Sequence, residues 1–398
     1  MALPAAPWCN RETVSTTPQP HLTVVHRSPV WLRRTEAWLH EQITMLPASV
    51  TSHVVCDRLS EPELFPVPHL SALSSRGRTR FVWDKGLRRL GLRRHSGFLL
   101  ECTRRGADVL HSHFGPTGWA DVPVARRARA KHVVTFYGYD AQRVPRENGR
   151  WLDRYEELFT CVDRVLCEGP YLAKTVIGLG CPPDRVRVHH LGVRVADLPY
   201  VPRTYETGPL RVLIASSFRE KKGIPYAIDA LGRLARDVQL EVTIVGDTDG
   251  TFEGDREKAR IRQAVERNGI EHSIRFRGFL THDGLVDEAY RNHVCIAPSV
   301  EAADGDSEGG APMILVLFAA TGMPVVSTRH CDIPHVLLDG AHLLAEERDV
   351  AGLVARLGWL LENPWSDFLA RLRRRMEEEY DSERQGVRLA ANYAEVVE

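Results

Sequence analysis

The sequence predicts an α/β protein made of two doubly wound, Rossmann-like domains that face each other across a cleft. Three observations lead there. Short β-branched apolar runs alternate with longer helical patterns along most of the chain, and one proline-rich stretch near the middle interrupts that rhythm. The length of 398 residues is enough for about two to three domains, each with a core of its own.

The first half carries HLTVV at 21–25, SHVVC at 52–56, DVLHSHF from Asp108, KHVVTFY from Lys131 and DRVLCEG from Asp163. Such runs read as buried strands, and strands alternating with helices read as βαβ units around a parallel sheet. At 196–210, ADLPYVPRTYETGPL holds three prolines and a glycine with no apolar period, as expected of a linker. The rhythm resumes with RVLIASS (211–217), EVTIVGD (241–247), SIRFRGF (273–279), HVCIAPS (293–299) and MPVVSTR (323–329). From about Asn363 to Glu398 the composition is helical. The expected division is therefore 1–205, 206–375 and a helical tail at 376–398 that packs across the domains or continues the second one.

Composition narrows the function. Apolar residues make up 43% and charged residues 26%, an ordinary globular mixture. Lys plus Arg and Asp plus Glu both total 52, so the overall basic field of a nucleic-acid binder is missing. No apolar stretch reaches the roughly 18 residues of a membrane span, and MALPAAPWCNRETVSTTPQP lacks a basic start followed by an apolar core. A cytoplasmic protein is expected. The eight cysteines (Cys9, Cys56, Cys102, Cys161, Cys167, Cys181, Cys295, Cys331) form no C-x-x-C pair, and the 17 histidines include no H-E-x-x-H. They read as buried small hydrophobes rather than a metal cage, and no metal or other cofactor is expected.

Nucleotide motifs narrow it further. The nearest G-x-G-x-x-G candidate, Gly178-Leu179-Gly180-Cys181-Pro182-Pro183, lacks its third glycine and has prolines where a helix must start. The run ending Ala173-Lys174-Thr175 puts Glu168 and Ala173 where a P-loop needs glycine. The informative segment is VCIAPSVEAADGDSEGGAPMILVLFAATGMPVVSTRHCDIPHVL from Val294, in which a strand, a polar loop and two glycines lead into an apolar helix. Backbone N–H groups and the positive end of a helix dipole converge at such a start, which suits a diphosphate.

These residues resemble a known family. Glu308-Gly309-Gly310-Ala311-Pro312, Thr321-Gly322-Met323-Pro324-Val325-Val326-Ser327-Thr328 and Asp332-Ile333-Pro334 are similar to the donor-binding stretch of glycosyltransferase family 4, the retaining enzymes of the GT-B fold. The likeness is strongest to the branch with colanic-acid and other exopolysaccharide transferases. Ser217-Phe218-Arg219-Glu220-Lys221-Lys222-Gly223-Ile224, His111-Ser112-His113-Phe114-Gly115, Thr135-Phe136-Tyr137-Gly138-Tyr139-Asp140 and His190-Leu191-Gly192-Val193 match in the expected order over roughly 108–350.

The resemblance implies a nucleotide sugar held mainly by the second domain and an acceptor held mainly by the first. Lys222 would offset the charge growing on the leaving diphosphate, assisted by Arg219. Glu308 and the N–H groups of Gly309 and Gly310 would meet the donor sugar and its phosphate, and Arg277-Gly278-Phe279 the base. His113 and Asp140 would lie near the reacting carbon, with Tyr137 and Gly115 on the acceptor side. Transfer would retain the anomeric configuration by front-face attack.

Three positions depart from the family pattern. Leu317 stands where a second glutamate usually accepts the ribose hydroxyls, and a Leu accepts no hydrogen bond. Ser217 replaces the signature arginine, with Arg219 two places on, and Tyr137 replaces a common histidine. Asp304-Gly305-Asp306 fits a turn as well as a metal-binding D-x-D. RGRTRFVWDKGLRRLGLRRHSGFLL from Arg76 suits an anionic membrane surface, a solvated helix face or an anionic acceptor.

The expected function is retaining, hexosyl-type transfer from a UDP- or GDP-linked sugar to a glycan, a lipid-linked or a small-metabolite acceptor, with peripheral membrane contact through 76–100. A nucleotide-sugar epimerase of the same fold and a noncatalytic nucleotide or sugar binder are the competing readings.

Overall fold

The computed structural model describes residues 21–398 apart from 34, 35, 77, 90, 91, 93 and 94. Two compact units form. One holds the described residues up to Gly192 together with Ser382–Glu398, and the other is Val193–Asp381.

The first unit is a parallel sheet of seven strands: β1 (Leu22–Trp31), β2 (Val50–Leu59), β3 (Leu70–Ala72), β4 (Val109–His113), β5 (Lys131–Phe136), β6 (Arg164–Cys167) and β7 (Val186–Val188). Their order is β3-β2-β1-β4-β5-β6-β7. Val24, Val109, Val133 and Leu166 pack on one face of this sheet, and Val25, Val55 and Leu110 on the other. Burial on both faces is why these strands read as unbroken apolar runs.

The second unit repeats the plan with β8 (Leu210–Ala215), β9 (Leu240–Val245), β10 (Ile274–Gly278), β11 (Val294–Ala297), β12 (Val325–Thr328) and β13 (Leu344–Ala345), in the order β10-β9-β8-β11-β12-β13. Both sheets are doubly wound, as expected. In each the strand order reverses beside the first strand, between β1 and β4 and between β8 and β11. Connections leave such a pair in opposite directions, so a crevice opens at the carboxyl ends, where α/β sheets take their ligands.

The division of the chain differs from the expected one in two ways. Residues 196–210 are fastened to the second unit: the N–H groups of Val201 and Arg203 donate to the Thr321 and Gly322 carbonyls at 3.0 Å each. The buried Arg203 guanidinium donates to the Thr321 carbonyl at 2.8 Å and the Ala289 carbonyl at 2.9 Å. The tail is divided between the two units at Asp381 and Ser382. Helix Ser366–Glu379 buries Leu372 and Met376 in the second unit, whereas Ser382–Val397 packs Leu389, Ala390, Tyr393 and Ala394 against Leu22, Val24, Val109 and Val133 of the first. Gly386 permits that contact, since a Cβ there would lie 1.9 Å from the Met45 carbonyl oxygen.

Among the described residues no helix is long and apolar enough to cross a membrane. The basic run at 76–100 is partly outside the described residues. Within it, helices Arg78–Arg89 and Ser96–Arg105 form, and the first exposes Val82 and Trp83. Cys9 lies outside the described residues. Cys56, Cys102, Cys167, Cys181 and Cys295 are buried, and Cys161 and Cys331 half-buried.

Candidate functional site

In the second unit, a tight turn follows β8 and a long acidic loop follows β11. The turn Glu220–Lys222 ends at Gly223, from which helix Ile224–Leu234 starts. That helix points Ile224, Ala227, Ile228, Leu231 and Leu234 into the core, the spacing of one helical face. Gly223 has φ of 62°, and a Cβ on it would stand 1.9 Å from the Pro298 carbonyl oxygen. Only glycine lets turn and loop close on each other here, and the Val300 N–H donates to the Lys221 carbonyl at 2.9 Å. Gly223→Ala is expected to lower unfolding stability by about 3 kcal/mol in urea titrations, from left-handed strain plus the clash. An unchanged midpoint would refute this account of the turn.

The closure brings together side chains that are far apart in sequence. Lys222 Nζ donates to both oxygens of Glu308 at 2.9 Å, and Ser299 Oγ donates to Glu308 Oε1 at 2.8 Å. Lys221 Nζ reaches Asp306 Oδ1 at 3.2 Å, the Ser307 carbonyl at 2.8 Å and Glu308 Oε2 at 3.9 Å. Arg219 lies 3.6 Å from Asp306 and is partly exposed. Three cations thus surround two carboxylates, leaving one formal positive charge in a mostly buried setting. Burial alone would raise the Glu308 carboxyl, but the Lys222 and Lys221 ammonium groups outweigh it and hold its pKa down to about 2. Glu308 therefore stays ionised at neutral pH, and the excess of cations over carboxylates around it favours an added anion.

Gly309 and Gly310 are in this loop, but their N–H groups are engaged inside it, by Ser307 Oγ at 3.2 Å and the Glu308 carbonyl at 2.8 Å. The helix itself begins at Met313, with Pro312 before it. Gly278 closes the end of β10, its carbonyl accepting from the Gly246 N–H at 2.8 Å, and the following Phe279 is exposed. Leu317 is buried in the apolar cluster around Leu315, Val316 and Phe318. Asp306 of the D-x-D sequence is salt-bridged to Lys221, and its N–H donates to Asp304 Oδ1 at 2.9 Å.

The two expected catalytic residues of the first domain, His113 and Asp140, and the two expected acceptor residues, Tyr137 and Gly115, come together in the first unit at the ends of β4 and β5. His113 Nδ1 meets the Tyr137 hydroxyl at 2.7 Å. Asp140 Oδ2 accepts from the Gly115 N–H at 2.7 Å and Oδ1 from the Tyr137 N–H at 2.9 Å. Their burial differs from the expectation. His113 and Asp140 are both 0% exposed, and the Asp140 oxygens are taken up by backbone N–H groups of the two loops. Burial raises the Asp140 pKa to about 6 despite those backbone donors, and burial carries His113 well below the ordinary imidazole value.

Sequence reading missed the company His113 keeps. His26 Nδ1 lies 3.3 Å from His113 Nε2, and His111 meets the Tyr393 and Thr135 hydroxyls at 2.7 Å each. The three histidines offer nitrogens within 4.8 Å of one another. Holding a metal with His111 would require it to give up one of those hydroxyl partners. Lys221 and Ser299 were not assigned to the site, and Asp306 was read only as part of a turn or a metal-binding D-x-D, whereas the structure pairs it with Lys221. Lys221 had a signal in its adjacency to Lys222, whereas Ser299 had none beyond ending a strand.

Comparison with known proteins follows the two units. Residues 19–197 match the family described as Glycosyltransferase Family 4, and residues 209–363 the one described as Glycosyl transferases group 1. WcaL of Salmonella typhimurium, provisionally named a colanic acid biosynthesis glycosyltransferase, is 32% identical over 259 residues, covering 63% of this chain and 61% of that protein. The amylovoran biosynthesis glycosyltransferase AmsK of Erwinia amylovora is 30% identical over 264 residues, covering 63% and 60%. The chain thus matches less than two thirds of the length of these relatives. Among solved structures, Anabaena HepE in complex with UDP and glucose superposes with a TM-score of 0.73 at 14% identity, over 94% of this chain and 99% of that one. At that identity the likeness speaks to the fold.

Proposed function

The chain belongs to the GT-B glycosyltransferases, with a family 4 first half and a group 1 second half, and from that premise we propose that it transfers a sugar from a nucleotide diphosphate to a glycan-type acceptor. The Lys222–Glu308 pair at the β8/β11 switch point is the observation that carries this reading. An entering diphosphate displaces part of the Lys222–Glu308 contact, and the ammonium then faces the charge that grows as the glycosidic bond breaks. Glu308, ionised and released from one of its bonds, turns to the sugar. Arg219 is the exposed cation that meets the diphosphate first, and Phe279 offers an aromatic face to the base. We propose that Lys222 carries the leaving-group charge without a metal, and that transfer retains configuration.

Relatives named for colanic acid and amylovoran synthesis support an exopolysaccharide acceptor. The basic helix Arg78–Arg89 with exposed Trp83 supports contact with an anionic membrane on which a lipid-linked acceptor is carried. Sedimentation with anionic vesicles is expected to carry the protein down at low salt, and Trp83→Ala to reduce this. Failure to sediment with anionic vesicles would remove the membrane contact, and equal sedimentation with neutral vesicles would remove the part played by the basic residues.

Thermal stabilisation by UDP, GDP, ADP and dTDP tests the donor half without an acceptor. A nucleotide at 100 times its dissociation constant adds about 2.7 kcal/mol. A shift with one nucleotide, lost in Lys222→Ala, is expected. Addition of acceptor then separates transfer from epimerisation, since only transfer yields a heavier product. A shift without turnover under any acceptor condition would favour a noncatalytic binder, and no shift at all would overturn the donor site.

A further inference from the structure

The acidic loop after β11 is clasped at both ends by one carboxylate. Glu347 Oε2 accepts the Glu301 N–H at 2.9 Å, and its Oε1 lies 2.6 Å from His330 Nδ1. Across the same ring, His330 Nε2 accepts the Glu308 N–H at 3.2 Å. The carboxylate at Nδ1 keeps a proton on that nitrogen, which leaves a lone pair on Nε2 for Glu308. His330 is 3% exposed, so water does not compete for the ring. The Arg348 guanidinium adds a bond to the Glu301 carbonyl and another to Glu347 Oε2 at 3.3 Å.

The backbone around this pair is strained. Among the described residues four non-glycine positions have positive φ, and two of them directly follow the pair: Cys331 at 46° after His330 and Arg348 at 61° after Glu347. Side chains rarely adopt that conformation unless the surroundings impose it, and such positions gather at functional sites. His330 and Glu347 reach the loop from two different strand ends, after β12 and after β13.

We propose that His330 and Glu347 are a positioning pair that fixes the backbone from Glu301 to Glu308 and so aims the Glu308 carboxylate at Lys222. The inference rests on the donor-site reading above, since it assigns these residues to the service of that site. Neither touches the reacting atoms. Glu347 holds the ring, the ring holds the Glu308 amide, and the amide sets the direction in which the carboxylate leaves the chain. Without the ring the Glu308 N–H loses its partner, and the loop is free to turn Glu308 away from the ammonium.

Hydrogen exchange over 299–310 reads the clasp directly, with no ligand. In His330→Leu the Glu308 amide is expected to lose protection while Glu301 keeps it. In Glu347→Ala both lose it. His330→Gln, whose amide offers both a donor and an acceptor, is expected to restore Glu308 protection and serves as the folded control. The same variants are then titrated with the nucleotide that stabilises the wild type. His330→Leu is expected to weaken it about tenfold or more, the size of one lost hydrogen bond and an orphaned donor, with His330→Gln recovering most of the affinity. Unchanged protection in His330→Leu overturns the pair. Lost protection with unchanged affinity overturns its service to the donor site. A Lys222→Ala variant that binds like wild type instead removes the donor-site reading itself, which the exchange data do not depend on.

Discussion

Lys222→Ala is expected to lower kcat by about 10²–10³-fold, the loss seen when one preorganised group facing developing charge is removed. Lys222 holds its ammonium in place before any substrate arrives, through two bonds to Glu308 at 2.9 Å. No reorganisation is then needed when negative charge moves onto the leaving diphosphate. Lys222→Arg keeps the charge but offers a planar fork where a compact ammonium fits between two oxygens, and an intermediate rate is expected. Loss of stability could imitate loss of catalysis, because the substitution leaves Glu308 buried with only Lys221 at 3.9 Å and Ser299 beside it. The double variant Lys222→Ala/Glu308→Gln separates the two. It removes the stranded charge and is expected to recover stability without recovering turnover. Turnover at the wild-type rate in Lys222→Ala would remove this residue from the mechanism.

Much of this site was legible in the sequence because its parts are local. A strand, a lysine before a glycine, and a glutamate before two glycines each sit within a few residues, and the parallel sheet brings both loops to one end. What the sequence hid is set by distance and by direction. Asp140 follows the Tyr137 loop in a way that suggests a presented acid, yet its oxygens turn back to two amides of neighbouring loops. Residue type cannot reveal that turn. The helix Ser382–Val397 looked like a charged tail because amphipathicity names a buried face and not its partner. Its partner is the first sheet, met through Leu389 and Ala390 and through the Tyr393–His111 bond. Prolines made 196–210 read as a free linker, while the Arg203 guanidinium, whose carbonyl partners lie far along the chain, binds it down.

Acid should weaken the wild type relative to Glu308→Gln, with the difference closing as the pH approaches 2. The Glu308 pKa is about 2 in the folded chain against the ordinary 4.5. A carboxyl whose folded value is depressed adds stability that is complete above the unfolded value and is lost as the pH falls through the folded one. The separation corresponds to a contribution on the order of 3 kcal/mol, present above about pH 4.5. Asp140 acts in the opposite sense. Its pKa is raised to about 6 from 3.8, so its contribution grows as the pH falls through that window. A simple acid titration of the wild type mixes the two effects. Subtracting Glu308→Gln cancels Asp140, because that carboxyl is in the other unit and has its own partners. Urea unfolding of both proteins from pH 7 to pH 3 is expected to show a constant gap down to about 4.5 and a shrinking one below. A gap that stays constant to pH 3 would mean that Lys222 and Lys221 do not hold Glu308 as an ion. The anion site would then lose the fixed charges on which its chemistry depends.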